Sequence, residues 1–108
     1  MAYELLSSAV GSKQDVLKTI TVLTTVTSDW IVFPAGIKTV SVVLVPSGSA
    51  KIQVTNDIDG VVAGTAVGID WDAGAVSVNT AKVATGVKAF RVVSVSGGAV
   101  ANFRGLFD

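Results

Sequence analysis

The run KTVSVVLV, residues 38–45, decides the fold class, because every second residue from Val40 to Leu44 falls on one apolar face. Successive side chains of a strand point to opposite faces, so this period of two predicts a strand with one side in a core. KIQVT (51–55) and VKAFRVVSV (87–95) alternate in the same way. The chain is therefore expected to be all-β.

Five more segments read as strands, because they are rich in Val and Thr or alternate between turn signals. They are residues 16–27 (one long strand or two with a kink), 29–33, 61–72 (bent or bulged at Gly64 and Gly68), 75–79 and 99–107. Residues 80–86 read as a loop, and no 3.6-residue period is sustained anywhere.

Short Pro- and Gly-rich connections suggest how these strands pair. The loop at 46–49 joins 38–45 to 51–55 in the clearest predicted hairpin, and Gly97 and Gly98 predict a second turn, before the last strand. The fold expected is a single antiparallel β-sandwich or jelly-roll-like domain of about eight strands over residues 16–108. Residues 1–15 are expected to form a short N-terminal arm.

The composition is unusually apolar for a chain of 108 residues, with 50% hydrophobic and only 15% charged residues. Globular proteins average roughly 25% charged residues. We interpret the deficit as surface that is covered in a homo-oligomer or larger assembly; the alternative is a Val/Ala-rich domain covered by Thr, Ser and Asn. Eight scattered cations balance eight acids, which argues against nucleic acid as a partner. The sequence has no apolar run of about 18 residues, and residues 1–13 lack a basic region followed by a long apolar one, so we expect neither a membrane partner nor a signal peptide.

The chain has no His and no Cys, which removes the commonest general base, the thiol nucleophile and disulfides. We therefore expect no enzyme activity, no catalytic residue and no cofactor. Asp57 and Asp59 precede Gly60 as in part of a calcium loop, but the EF-hand register would put Thr55 first and Ala66 twelfth. A backbone-bonding turn is favoured there, and a weak calcium site is left open.

Several residues are candidates for an interface or ligand contact. Trp30 and Trp71 either fill the core or stack on a sugar, and Asp70 and Asp72 flank Trp71. Arg91 lies in the middle of a strand, where it either pairs with one of these carboxylates or points into an interface. The set is Trp30, Asp70, Trp71, Asp72, Arg91, Phe103 and Phe107.

Four segments together resemble a known class of protein: WIVFPAG (30–36), KIQVTND (51–57), GTAVGIDWDAG (64–74) and VKAFRV (87–92). Over residues 28–107 the chain resembles the small β-sandwich structural proteins of tailed bacteriophages, which decorate or cement capsids or sit on tails. The resemblance implies a non-enzymatic virion protein, made in the host cytoplasm, whose partners are copies of itself and a phage capsid or tail protein. The alternative function is a carbohydrate-binding module that uses Trp71 with Asp70 and Asp72.

Overall fold

The computed structural model describes residues 3–6, 15–71 and 74–107, and of Phe107 only the backbone. Within these residues the chain forms nine strands and one short helix. In chain order they are β1 (Tyr3–Leu5), β2 (Val16–Val22), β3 (Trp30–Val32), β4 (Ile37–Pro46), β5 (Ser49–Thr55), α1 (Ile58–Ala63), β6 (Ile69–Asp70), β7 (Thr80–Thr85), β8 (Ala89–Ser96) and β9 (Ala99–Phe107).

The strands form two sheets that pack face to face. The five-stranded sheet has the order β1-β3-β8-β5-β6, and the four-stranded sheet has the order β2-β9-β4-β7. Neighbouring strands are antiparallel except β1 and β3, which are parallel. The prediction of an all-β, jelly-roll-like sandwich is confirmed.

The main core lies between the two sheets and is built around Phe90 of β8, which is fully buried. Its ring centroid lies 5.8 Å from that of Phe33 and 5.5 Å from that of Phe103, which belongs to the opposite sheet. The alternation in β4 also holds, because Val40, Val42 and Leu44 are all buried in this core. In β4 the apolar period of two thus sets which side of the strand faces inward.

The predicted hairpin at 46–49 is wrong, whereas the predicted turn at Gly97 and Gly98 is present but does not form a hairpin. β4 pairs with β9 and β7, whereas β5 pairs with β8 and β6, so the bend at Ser47 and Gly48 carries the chain from one sheet to the other. The bend at Gly97 does the same between β8 and β9, and the two bends touch where Ser47 N donates to the Gly98 carbonyl at 2.8 Å. A hairpin and a sheet-to-sheet arch both need a tight bend, so turn residues do not distinguish them.

The predicted strand at 61–72 is wrong as well, because most of it lies in or just after helix α1. The Asp57 carboxylate caps the helix by accepting from Gly60 N at 3.0 Å, and Gly64 ends it with φ of 80°. A six-residue helix is too short to establish a 3.6-residue period. Only β6, two residues long, remains of the predicted strand.

The other differences concern strand limits. The predicted loop at 80–86 is edge strand β7, and in the predicted strand 75–79 only Val76 pairs, through a bridge to Ala50. The segment 16–27, predicted as one long strand or two with a kink, is a strand only as far as Val22. Thr27 forms an isolated bridge to Val93 of β8, in the other sheet. β1 lies within the segment predicted as an arm.

Candidate functional site: the outer face of the four-stranded sheet

The outer sides of the two sheets differ in what covers them. The outer side of the five-stranded sheet carries a second small cluster, in which Val61 of α1 packs with Trp30, Val32 and Ala89. Val61 is 1% exposed. Helix α1 therefore shields part of this side of the sandwich, around Trp30, from solvent.

The outer side of the four-stranded sheet is different, because no helix or strand of the described residues packs on it. Its residues are those whose strand neighbours point into the core, and we call it the open face. It comprises Leu17, Thr19, Thr21, Thr39, Ser41, Val43, Val45, Ala81, Val83, Thr85, Val100, Asn102, Arg104 and Leu106. Leu17 is 69% exposed and Val83 64% exposed, which is high for aliphatic side chains on a sheet.

The open face is nearly free of charge. Arg104 is the single charged residue in the set above, and its Nε donates to the Asp15 carboxylate at 2.7 Å. Thr19 Oγ1 donates to Asn102 Oδ1 at 2.8 Å, so two central polar groups satisfy each other. The face is therefore electrically neutral when Arg104 is counted together with Asp15.

The edges of the same sheet carry charges on their inward sides. Lys18 of β2 lies opposite Phe103 in the register, and its Nζ lies 2.7 Å from Glu4 Oε1 of β1. Lys82 of β7 lies opposite Val42. Inward-pointing charges on edge strands oppose the addition of another strand. These charges therefore disfavour the pairing of a further strand at either edge of this sheet.

Trp30 and Arg91 are brought together on the covered side of the sandwich. Trp30 is 5% exposed, and the Arg91 guanidinium carbon lies 4.5 Å from the centre of its ring. Arg91 Nε donates to Gln53 Oε1 at 2.8 Å, where the sequence had suggested a carboxylate partner. Partial burial lowers the pKa of Arg91.

Asp70 lies on the same side but points to solvent. It accepts from Gln53 Nε2 at 2.9 Å and from Lys51 Nζ at 3.0 Å. The hydrogen bond from Gln53, and then that from Lys51, lower the pKa of the Asp70 carboxyl below its usual value.

The sugar-binding arrangement suggested by the sequence is not formed by the described residues. Half-buried Trp71 packs against the main core, with its ring centroid 6.4 Å from that of Phe90 in an edge-to-face pair. Asp70 instead bonds to Gln53 and Lys51, on the outer side of the sheet. Asp72 lies outside the described residues.

The remaining candidates do not lie together. Phe103 is buried in the main core, the Phe107 side chain lies outside the described residues, and Asp57 caps α1. In the described ranges no group of three or more acidic side chains is placed to hold a metal ion. The one helix in the described residues, α1, is not long and apolar enough to cross a membrane.

The residues of the open face were not singled out from the sequence, although a signal for them existed. Val43 and Val45 are apolar at positions that alternation assigns to the outside of β4. Leu17 and Val83 could not be recognised, because their facing depends on which strands pair and because β7 had been read as a loop.

Neither a protein-family model nor a curated protein matches this sequence. Several solved structures are similar to this chain in fold. An oxalate oxidase structure is 12% identical with a TM-score of 0.52 over 86% of this chain and 42% of that one. The cupin domain of Schizosaccharomyces pombe Cnp3 is 5% identical with a TM-score of 0.51 over 95% of this chain and 60% of that one. A family 29 carbohydrate-binding module, 8% identical with coverages of 91% and 64%, has a TM-score of only 0.41.

These matches bear on the fold, and they correct one expectation. The chain spans less than two thirds of the length of each of the three structures. The expectation that the chain is not an enzyme is contradicted, because a structure that shares its fold is that of oxalate oxidase. At these identities the likeness extends to the fold and to no activity. The chain is similar in fold to cupin domains.

Proposed function

We propose that this protein is a structural component of a virion that self-associates and binds the surface of a phage capsid or tail. The observation that carries the proposal is the open face, a neutral four-stranded surface that no described element covers. The resemblance of residues 28–107 to phage decoration and tail proteins supplies the setting.

Physical chemistry supports self-association through this surface. Exposed aliphatic side chains such as Leu17 and Val83 gain free energy when they leave water, at about 25 cal/mol per Å² of apolar area. A neutral face also carries no like charges that would repel a second copy. On the α1 side of the sandwich Val62 is exposed, but the larger apolar groups Trp30 and Val32 are already covered by Val61.

The self-association is tested with Val43→Glu, which places a carboxylate at the centre of the open face. Burying an unpaired charge is costly, so we expect association to weaken at least about tenfold, or ~1.4 kcal/mol. Val62→Glu is the matched control, because Val62 is exposed on α1, away from the open face. Sedimentation velocity from micromolar to millimolar concentration gives the readout. Wild-type protein that stays monomeric throughout would exclude the proposal.

The virion setting is tested separately. Phage particles are induced from the host strain that carries the gene, banded by density and examined by quantitative mass spectrometry. We expect the chain in the particles at a fixed ratio to the major capsid or tail protein. Its presence in the lysate but absence from banded particles would contradict a virion role and leave self-association standing.

A further inference from the structure

The two most exposed of the large aliphatic side chains on the open face, Leu17 and Val83, lie in one row across the sheet. The register places Leu17 of β2 beside Arg104 of β9, Arg104 beside Ser41 of β4, and Ser41 beside Val83 of β7. Leu17 and Val83 thus occupy the two ends of a single cross-strand row, on the two edge strands. Three inter-strand steps separate them, or about 14 Å.

We propose that a second copy of the chain docks on the open face about a two-fold axis that runs parallel to the strands. This proposal rests on the proposed self-association and specifies its geometry. Such an axis exchanges the left and right edges of the sheet and keeps each row at its own height. Leu17 therefore lies over the partner's Val83, and Val83 lies over the partner's Leu17. A two-fold interface requires this kind of reciprocal contact.

Charge and symmetry favour a second copy as the occupant. A copy brings to the interface the same neutral surface, in which Asp15 already pairs with Arg104. A strongly charged partner would find no complementary charge on the open face. Under the proposed two-fold axis, Arg104 of one copy lies over Ser41 of the other copy. Because Ser41 is small, bulky side chains do not meet at the centre of the interface.

The size of the face predicts how strong the contact is. Four strands about 4.8 Å apart and seven residues at about 3.3 Å each give a flat area of roughly 440 Å² per copy. The pair then covers roughly 900 Å², below the about 1,200 Å² at which stable interfaces begin. The dimer is therefore weak and depends on protein concentration, as suits a contact that is repeated within a larger assembly.

Single-cysteine variants test the axis directly, because the wild-type chain has no Cys. Leu17→Cys and Val83→Cys change exposed side chains only, and circular dichroism and thermal melting check that both variants fold. Packed sheets lie about 10 Å apart, and side chains from both sheets project into the space between them. The sulfurs of two cysteines that face each other are therefore closer than the sheets, within the reach of a short bis-maleimide of about 8 Å. Two copies of the same variant hold their sulfurs about 14 Å apart, beyond that reach.

We expect the mixture of the two variants to give a cross-linked heterodimer, identified by mass, at least about fivefold above either variant alone. A mixture of Leu17→Cys with Val62→Cys, on α1, should give only background. If either variant cross-links to itself as well as the mixture does, the axis is wrong, although self-association stands. If the wild-type protein dimerises and no sample cross-links, the open face is not the contact. A protein that is monomeric at every concentration overturns the proposed function as well.

Discussion

Removal of the Phe90 ring is the sharpest test of how the two sheets are held together. Phe90 is fully buried, and its ring contacts the rings of Phe33, Trp71 and Phe103. Phe103 lies in the opposite sheet, so this aromatic cluster joins the two layers. Phe90→Ala should therefore destabilise the whole sandwich and not one sheet alone.

The expected magnitude follows from the packing. Phe→Ala substitutions in protein cores lower the free energy of unfolding by about 3–5 kcal/mol. Within this loss, each cavity volume of about 40 Å³ that stays empty accounts for ~1 kcal/mol. Phe33 and Phe103 are themselves buried in the core, so they cannot move far enough to fill the cavity left by Phe90. We therefore expect a loss in the upper half of this range. A domain of this length has a total stability of about 5–15 kcal/mol, of which the substitution removes a large share.

Urea unfolding followed by tryptophan fluorescence measures this loss, since Trp71 reports directly on the cluster. Measurements at two protein concentrations separate folding from association. A double-mutant cycle with Phe103→Leu should give a coupling of about 0.5–1.5 kcal/mol for the ring pair. A cost below about 1.5 kcal/mol for Phe90→Ala, with an unchanged m-value, would refute the reasoning.

Three further predictions concern single contacts. Asp57→Ala removes the cap of α1 and should cost about 1 kcal/mol in urea unfolding, since the cap satisfies an otherwise unpaired N–H; an unchanged midpoint would contradict the cap. Gly105→Ala should cost about 1–3 kcal/mol by thermal or urea unfolding, because an added Cβ would lie 2.7 Å from Phe33 Cδ1. The Asp70 carboxyl should titrate by NMR below its usual pKa, and Gln53→Ala should move the pKa upward. Because folding lowers this pKa, the stabilisation that it brings is present at neutral pH and is lost as the pH falls through the folded-state value, so wild type and Asp70→Asn should converge in acid.

The strands that alternate cleanly were predictable from the sequence, and those that do not alternate were misread. β4, β5 and β8 bury every second residue, so local pattern and tertiary structure agree. β7 was read as a loop, because as an edge strand it carries Lys82 on its inward side and buries only Ala84. Helix α1 was missed because six residues are too few to show a helical period, although Asp57 and Gly64 mark its two ends.

The sequence by itself determined the class of fold, because the apolar period of two is a local property of each strand. It also determined the shortage of charge, because composition does not depend on how the chain folds. The shortage of charge is also the basis of our expectation that some surface is covered in an assembly, which remains a prediction. Only the tertiary structure decided which surface that is. The pairing of β2, β9, β4 and β7 joins residues up to 89 positions apart, such as Val16 and Gly105, and no local pattern contains such a register. Among the described residues, helix α1 packs on the five-stranded sheet, whereas no element packs on the open face.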